Sequence, residues 1–463
     1  MLVLMVVLFL LGYTAIALEH QIKINKAATA LVLCSFLWTI YIIASPAILS
    51  SSSEFSEYLH SMADNGLSMK ENVFNYVTSV QIIEHVGDVA EILFFLMGAM
   101  TIVELIDVHG GFSIITDRIK VKDKRKLMWT IALITFFMSA ILDNLTTTIV
   151  MLMMLRKLIR RQEDRWLFAG LIVIAANSGG AFSPIGDVTT IMLWVKGNVS
   201  AEMIIPSLIL PSIISVVIPL IFASRMIRME HEEDGVPTEL DTMTPINPTL
   251  AYVTKTEQKI IFFLGVGSLI FVPIFKTITH LPPFIGVLLG LSILWLYTEL
   301  MYHRKKDMPS ESKATISFVL TRIDMTTILF FLGILMAVAA LQCAGILTDL
   351  SQSLDTIFNK NVYAINIIIG FLSSVVDNVP LVAGAMGMYD LAATGAFAPD
   401  GVFWLFLAYC AGVGGSILIV GSAAGVVAMG LEKITFGWYL KRISWLALLG
   451  YLSGAIVFIL FHL

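Results

Sequence analysis

Apolar residues run in long blocks along nearly the whole chain, separated by short polar or charged stretches. A hydrocarbon core of ~30 Å takes about 20 helical residues to cross. Blocks at 1–18, 26–48, 86–108, 203–223, 259–279, 282–302, 325–347 and 438–461 predict helices of this kind. Gly, Pro, Ser and Thr lie inside the blocks and short alternating segments do not, which predicts helices rather than the strands of a barrel. Residues 1–18 carry no basic segment ahead of their apolar run and read as a first spanning helix, with a removed signal sequence as the alternative.

Four further apolar segments are interrupted. Residues 127–159 and 362–389 each carry an Asp-Asn pair near the centre, Asp143-Asn144 and Asp377-Asn378. Arms of about 15 residues reach only ~24 Å, which predicts two re-entrant hairpins. Residues 166–198 and 402–430 are broken midway by small and polar residues, from Asn177 through Asp187 and from Gly412 through Ser422. They read as broken crossing helices. The expected fold is an all-α membrane protein of about ten crossings, two of them broken, with two hairpins besides.

The basic residues give the map an orientation, because Lys and Arg gather on the cytoplasmic side. Lys23 and Lys26, Arg118 to Lys126, Arg156 to Arg165, Arg225 and Arg228, Arg304 to Lys306, and Lys441 with Arg442 all fall on one face of this topology. Both termini are then expected outside. Residues 225–257, with the acidic run from Glu230 to Asp234, read as a cytoplasmic linker.

The linker separates two similar halves, 1–224 and 258–463. Ile-Leu-Phe-Phe-Leu at 92–96 recurs at 328–332, Asp143-Asn144 recurs as Asp377-Asn378, and Gly179-Gly180 recurs as Gly414-Gly415, all at a spacing of about 235 residues. Ser139 and Ser373 each stand four residues before the Asp, so both halves contain Ser-x-x-x-Asp-Asn. An odd number of crossings per half places the second upside down, which is the inverted-repeat logic of secondary transporters.

Composition agrees with a bilayer as solvent. The 463 residues are 57% hydrophobic and 14% charged, against roughly a quarter charged in soluble domains. Cys34, Cys343 and Cys410 lie in apolar stretches at spacings that match no metal or redox pattern. Neither a resident cofactor, an enzymatic activity nor a nucleic-acid partner is expected.

A carboxylate at membrane depth costs roughly 2.5–3.5 kcal/mol on insertion scales and marks an ion or proton path. Hairpin tips and helix breaks leave backbone groups unpaired, and these join carboxylate, amide and hydroxyl oxygens in a site suited to a hard cation such as sodium or lithium. One such site is expected from Asp143 with Ser139, Asn144, Thr146 and the first break, including Asn177, Ser178 and Asp187. A second is expected from Asp377 with Ser373, Asn378 and the second break, including Ser416 and Ser422. Asp143, Asn144, Asp377 and Asn378 are the expected sodium ligands. Asp187 stands opposite Ser422 and Thr146 opposite Pro380, so the two sites need not be equivalent. Burial favours a protonated carboxylate and a bound cation favours the ionised one, so proton and cation compete for one group. Glu104 and His109, at one end of the 86–108 helix, are candidates for ion entry or pH sensing, with a solvated mouth as the plainer reading.

The segments SAILDNLTTTIVMLMM, NSGGAFSPIGDVTT and SSVVDNVPLVAGAMGM resemble the NhaD-type sodium/proton antiporters of the ion transporter superfamily, a resemblance that covers most of the chain from about residue 86. It implies an inverted repeat with two re-entrant hairpins, a homodimer, exchange of sodium and lithium for protons, and a bacterial cytoplasmic membrane as location. Carboxylate transporters of that superfamily carry Ser-Asn-Thr at each tip; here Asp143 and Asp377 replace the serine. An acid there disfavours a dianionic substrate and points from carboxylate symport toward cation/proton exchange; a sodium-coupled symporter of a dicarboxylate or oxo-anion is the alternative reading.

Overall fold

A computed structural model describes the whole chain except residues 51–52, 63–66, 117–120, 122, 160, 227–247, 306, 310–311 and 463. Most of the expected linker, with its acidic run and Arg228, lies outside the described residues, as do Arg118, Lys120, Lys122, Arg160 and Lys306 of the basic stretches. The helices that build the body and the site are α1 (Leu2–Ala17), α2 (Lys26–Leu49), α3 (Ile82–Val108), α4 (Lys124–Leu142), α5 (Asn144–Leu158), α6 (Gln162–Ala181), α7 (Val188–Val195), α8 (Ala201–Met226), α9 (Lys255–Thr279), α10 (Pro283–Arg304), α11 (Met325–Cys343), α12 (Val362–Val375), α13 (Asn378–Met388), α14 (Val402–Gly414), α15 (Ala423–Glu432), α16 (Phe436–Arg442) and α17 (Ser444–His462). The chain is an all-α membrane protein.

Among the described residues, eight helices are long and apolar enough to cross a bilayer. They include α4, whose 19 residues exceed the expected hairpin arm and reach ~28 Å at 1.5 Å per residue. Helix α1 falls in the shorter class instead.

Two compact units are distinguished. The first comprises Met1–Phe94, Asp324–Asn361 and Val379–Leu391. Its centre is the packing of α2 on α11, with α1 against α2. Trp38 donates its indole N–H to the Met336 carbonyl at 2.9 Å, and a methyl added at Gly333 would sit 2.7 Å from the Ala30 backbone. Close backbone approach over small residues is how helices associate in lipid.

Here two expected helix bounds are corrected. The helix expected over 86–108 begins earlier, at Met69, where Ser68 and Glu71 form a capping box. A π-helical turn at Val77–Gln81 carries it into α3 without a break. At the other end α11 stops at Cys343, and Gly345 (φ +75°) opens a separate helix, Ile346–Ile357.

The second unit comprises Phe95–Ile323, Val362–Asn378 and Ala392–Leu463. Helix α6 is its axis, packed on α4, α5, α8, α14 and α15, while α12 packs on α14 and α8 on α17. Helix α8 contains Pro206, Pro211 and Pro219. Prolines are tolerated in spanning helices when neighbours satisfy the freed carbonyls. Beside them Ser215 donates to the Ser212 carbonyl at 2.7 Å. The expected helix 438–461 is divided at Ile443 into α16 and α17.

Candidate functional site

Both interrupted tracts use the same local devices. Helix α4 ends at Leu142, and Asp143 turns the chain at φ +76°, a region an L-residue enters at some cost. Its carboxylate caps α5, accepting from the Thr146 N–H and the Thr146 hydroxyl, both at 2.8 Å. Asp187 caps α7 by accepting from the Thr189 N–H at 3.0 Å, and Ser422 caps α15 by accepting from the Gly425 N–H at 3.2 Å. The breaks therefore follow from capping chemistry as well as from Gly and Pro.

Corresponding contacts recur in the two tracts. Ser139 donates to the Ala176 carbonyl at 2.6 Å and Ser373 to the Ala411 carbonyl at 2.7 Å. A methyl at Gly179 would meet the Phe136 carbonyl oxygen at 2.1 Å, and one at Gly414 would meet the Gly370 carbonyl oxygen at 2.3 Å. Each tract thus lays a helix break directly on the backbone of the helix before the Asp-Asn pair.

Between the breaks lies one connected polar network. Asn144, 5% exposed, donates its amide to Asp187 Oδ2 at 2.9 Å and to Asn177 Oδ1 at 3.1 Å. Asn378 donates to both oxygens of the same carboxylate, at 3.3 and 3.1 Å. Asn177 in turn donates to the hydroxyls of Ser416 at 3.0 Å and Ser422 at 2.8 Å. Asp187 is 1% exposed, and among the described residues none of its hydrogen-bond partners is cationic.

This arrangement differs from two separate sites, one per half. Asn144, Asn177, Asp187, Asn378, Ser416 and Ser422 are brought together. Asp143, with Thr146, is turned onto its own helix, and Asp377 is half-buried just before α13. Ser139 and Ser373 brace helix against helix, and the Ser178 and Ser215 hydroxyl oxygens lie 2.8 Å apart. Among the described residues no three His, Cys, Asp or Glu side chains converge to hold a metal ion, so the oxygen donors here are chiefly amide and hydroxyl groups around a single carboxylate. Sequence reasoning missed Thr147, a fully buried hydroxyl with no hydrogen-bond partner among the described residues. The Thr146-Thr147-Thr148 run beside the Asp-Asn pair was the available signal.

Glu104 forms an ion pair with Arg322. His109 is fully buried, not part of a solvated mouth. Its Nδ1 faces the Leu105 carbonyl at 2.7 Å and must donate, so Nε2 accepts from the Tyr302 hydroxyl at 2.5 Å. Burial pushes the imidazole below its ordinary pKa of 6.5, with Lys305 adding to the shift and Glu257 opposing it.

Sequence inspection also missed a buried ion cluster away from this network. Glu432, at the end of α15, pairs with Arg156 at 2.7 Å and Arg165 at 3.0 Å, its side chain 1% exposed. Trp166 donates to the Glu432 carbonyl at 2.8 Å.

Apolar spanning helices around buried amides, hydroxyls and carboxylates at helix breaks define a membrane transporter. The chain belongs to the citrate transporter family, which matches it over residues 6–406. It is 40% identical over 458 residues to sodium/proton antiporter 1 of Arabidopsis thaliana, covering 99% of this chain and 72% of that one. It is also 40% identical over 459 residues to sodium/proton antiporter 2 of the same plant, covering 99% of each. Na+/H+ antiporter NhaD of Vibrio cholerae is 29% identical over 493 residues, covering 98% of this chain and 90% of that one. The resemblance to NhaD-type antiporters extends over nearly the full length.

Proposed function

We propose that the chain exchanges sodium, and lithium, for protons, with Asp187 as the carboxylate that carries one or the other. The observation behind this is the position of Asp187: buried, held by the amides of Asn144 and Asn378, and joined through Asn144 and Asn177 to the hydroxyls of Ser416 and Ser422 in the second break. The names of the relatives agree with this reading. Two amide N–H groups satisfy the carboxylate, whereas a sodium ion needs oxygens. Turning the Asn144 and Asn378 amides would present their Oδ1 atoms beside Asp187 and complete an oxygen set for a hard cation. Proton and cation then compete for one group, and release of either leaves it open to the other.

Asp143 and Asp377 supply further negative charge close to Asp187 and cap or flank the tips. The recurring Ser139/Ser373 and Gly179/Gly414 contacts support an inverted repeat of residues 1–224 and 258–463, with the Asp-Asn turns as re-entrant tips. Homodimer formation and a bacterial cytoplasmic membrane complete the proposal, though relatives come from a plant as well as from bacteria. The reading is transport without catalysis and without a resident cofactor. A citrate symporter fits the site less well, because a polyanion calls for cationic donors and the network holds none.

The experiment is proton flux in everted vesicles or proteoliposomes after addition of sodium, lithium, potassium or citrate. Sodium or lithium should dissipate an imposed pH gradient. If citrate alone drives sodium-dependent uptake and no cation moves protons, the antiport reading is wrong.

A further inference from the structure

Away from the network, a cavity of about 300 Å³ opens where α4 and α6 begin and α8 and α16 end, lined by Lys124, Arg161, Glu163, Asp164, Trp438 and Arg442 among others. Lys124 pairs with Asp164 at 3.0 Å and Arg161 with Glu163 at 3.3 Å. Arg442, exposed at the end of α16, has no hydrogen-bond or ion-pair partner among the described residues. The cavity therefore holds one uncompensated cation, two cations in reach of partner exchange, and two carboxylates able to accept hydroxyl hydrogen bonds. Trp438 packs edge-on against Trp166 at 5.2 Å, giving the aromatic character that marks a membrane–water boundary.

An apolar ridge continues from this cavity along the outside of α8 and α17. Phe222 lies one turn before Met226, which also lines the cavity. It meets Trp445 edge-on at 6.0 Å, and Phe222, Trp445, Leu440 and Leu449 are all substantially exposed. Arg225 stands over the Phe222 ring at 5.8 Å. A polar cavity with a free guanidinium, followed by an exposed apolar ridge, has the two-part chemistry of a lipid.

We propose that this cavity binds the headgroup of an anionic glycerophospholipid of the phosphatidylglycerol type. The phosphate rests on Arg442 with Arg161 and Lys124 around it, and the headgroup hydroxyls donate to Asp164 and Glu163. One acyl chain follows the Phe222–Trp445 ridge. Basic pockets between membrane helices hold anionic headgroups by this combination of charge and hydrogen bonding. A soluble phosphate ester would satisfy the cations but leave the ridge uncovered, which is why a lipid is assigned.

The test is native mass spectrometry and thermal unfolding of the full chain in detergent, titrated with phosphatidylglycerol, phosphatidylcholine or soluble glycerol phosphate. Phosphatidylglycerol should bind and raise the unfolding temperature, and the other two should not. Losing one charge-assisted contact in Arg442→Gln should weaken phosphatidylglycerol by about tenfold. Arg161→Gln should weaken it less, since that guanidinium shares its charge with Glu163, and serves as the second readout if the first variant does not fold. Lys441→Gln, an exposed neighbour outside the cavity, should bind as the native chain does. Equal binding of phosphatidylcholine, an equal effect of glycerol phosphate, native-like binding by Arg442→Gln, or an equal loss in Lys441→Gln would each overturn the assignment.

Discussion

Replacing Asp187 by Asn puts the proposed exchange chemistry to its most direct test. The side chain keeps its size, and one oxygen can still accept from the Thr189 N–H. The other position becomes an NH2 group facing the donors of Asn144 and Asn378, which sit 2.9–3.3 Å from the carboxylate. Charge-assisted hydrogen bonds contribute about 1.5–3 kcal/mol each, against about 1 for neutral ones. Rotation of either flanking amide restores an acceptor, so the net loss of folding stability should stay near 1–2 kcal/mol. The loss for a bound cation is larger. A unit charge pair at 4 Å is worth about 4 kcal/mol at an effective dielectric of 20, and partial recovery of desolvation reduces this. Apparent sodium affinity should therefore fall by about 10²–10³-fold, and coupled proton flux should disappear because no titratable group remains at that position. The assay is a sodium jump on proteoliposomes containing a pH-sensitive dye, with thermal unfolding as the control for folding. Sodium-dependent proton flux within a few-fold of native would refute the assignment of Asp187 and return the exchange role to Asp143 or Asp377.

Other substitutions probe the surroundings of that carboxylate. Asn378→Asp places a second negative charge against Asp187 and should bring its proton uptake into a more alkaline range, read as an alkaline displacement of the pH profile of exchange. Gly179→Ala forces a methyl to 2.1 Å from the Phe136 carbonyl oxygen; backbone must move, and a loss of 3 kcal/mol or more, beyond the usual ~1–3 of overpacking, should appear as poor recovery of folded protein. Glu432→Gln leaves Arg156 and Arg165 facing a neutral group, and breaking a buried ion pair costs about 3–5 kcal/mol; with Arg156 and Arg165 partly exposed, about 2 kcal/mol is expected in thermal unfolding. For His109 the folded pKa lies below the unfolded value of 6.5. Its stabilising contribution is full above that value and declines as pH falls from 6.5 through the folded pKa. His109→Gln should flatten that acid limb of a stability-against-pH curve, and an unchanged limb would exclude His109 as its source.

Seven of the eight long helices found among the described residues, and the two interrupted tracts, were legible in the sequence because apolar length and the Asp-Asn and Gly-Gly pairs are local signals, whereas α4 was read as a hairpin arm. The capping box at Ser68 and Glu71 was equally local. Pairing was less accessible. The sequence reading already grouped Asn144 and Asn177 with Asp187, but nothing in the order of residues indicates that Asn378, 191 residues from Asp187, joins them. Nor does a basic stretch announce that Arg156 and Arg165 will enclose Glu432. The symmetric reading assigned one cluster to each Asp-Asn segment, whereas the amides of Asn144 and Asn378 both end on Asp187, opposite which the second break carries Ser422.

Asp187 also has a second occupation, as the residue that caps α7. An ionised carboxylate at a helix start satisfies a backbone N–H and favours the positive end of the peptide dipole, together about 1 kcal/mol or more. Whatever neutralises that oxygen pair loosens the first turn of an eight-residue helix, and whatever restores its charge tightens it. On the role proposed for Asp187, loading and unloading of the carboxylate are thereby coupled to the order of the first turn of α7.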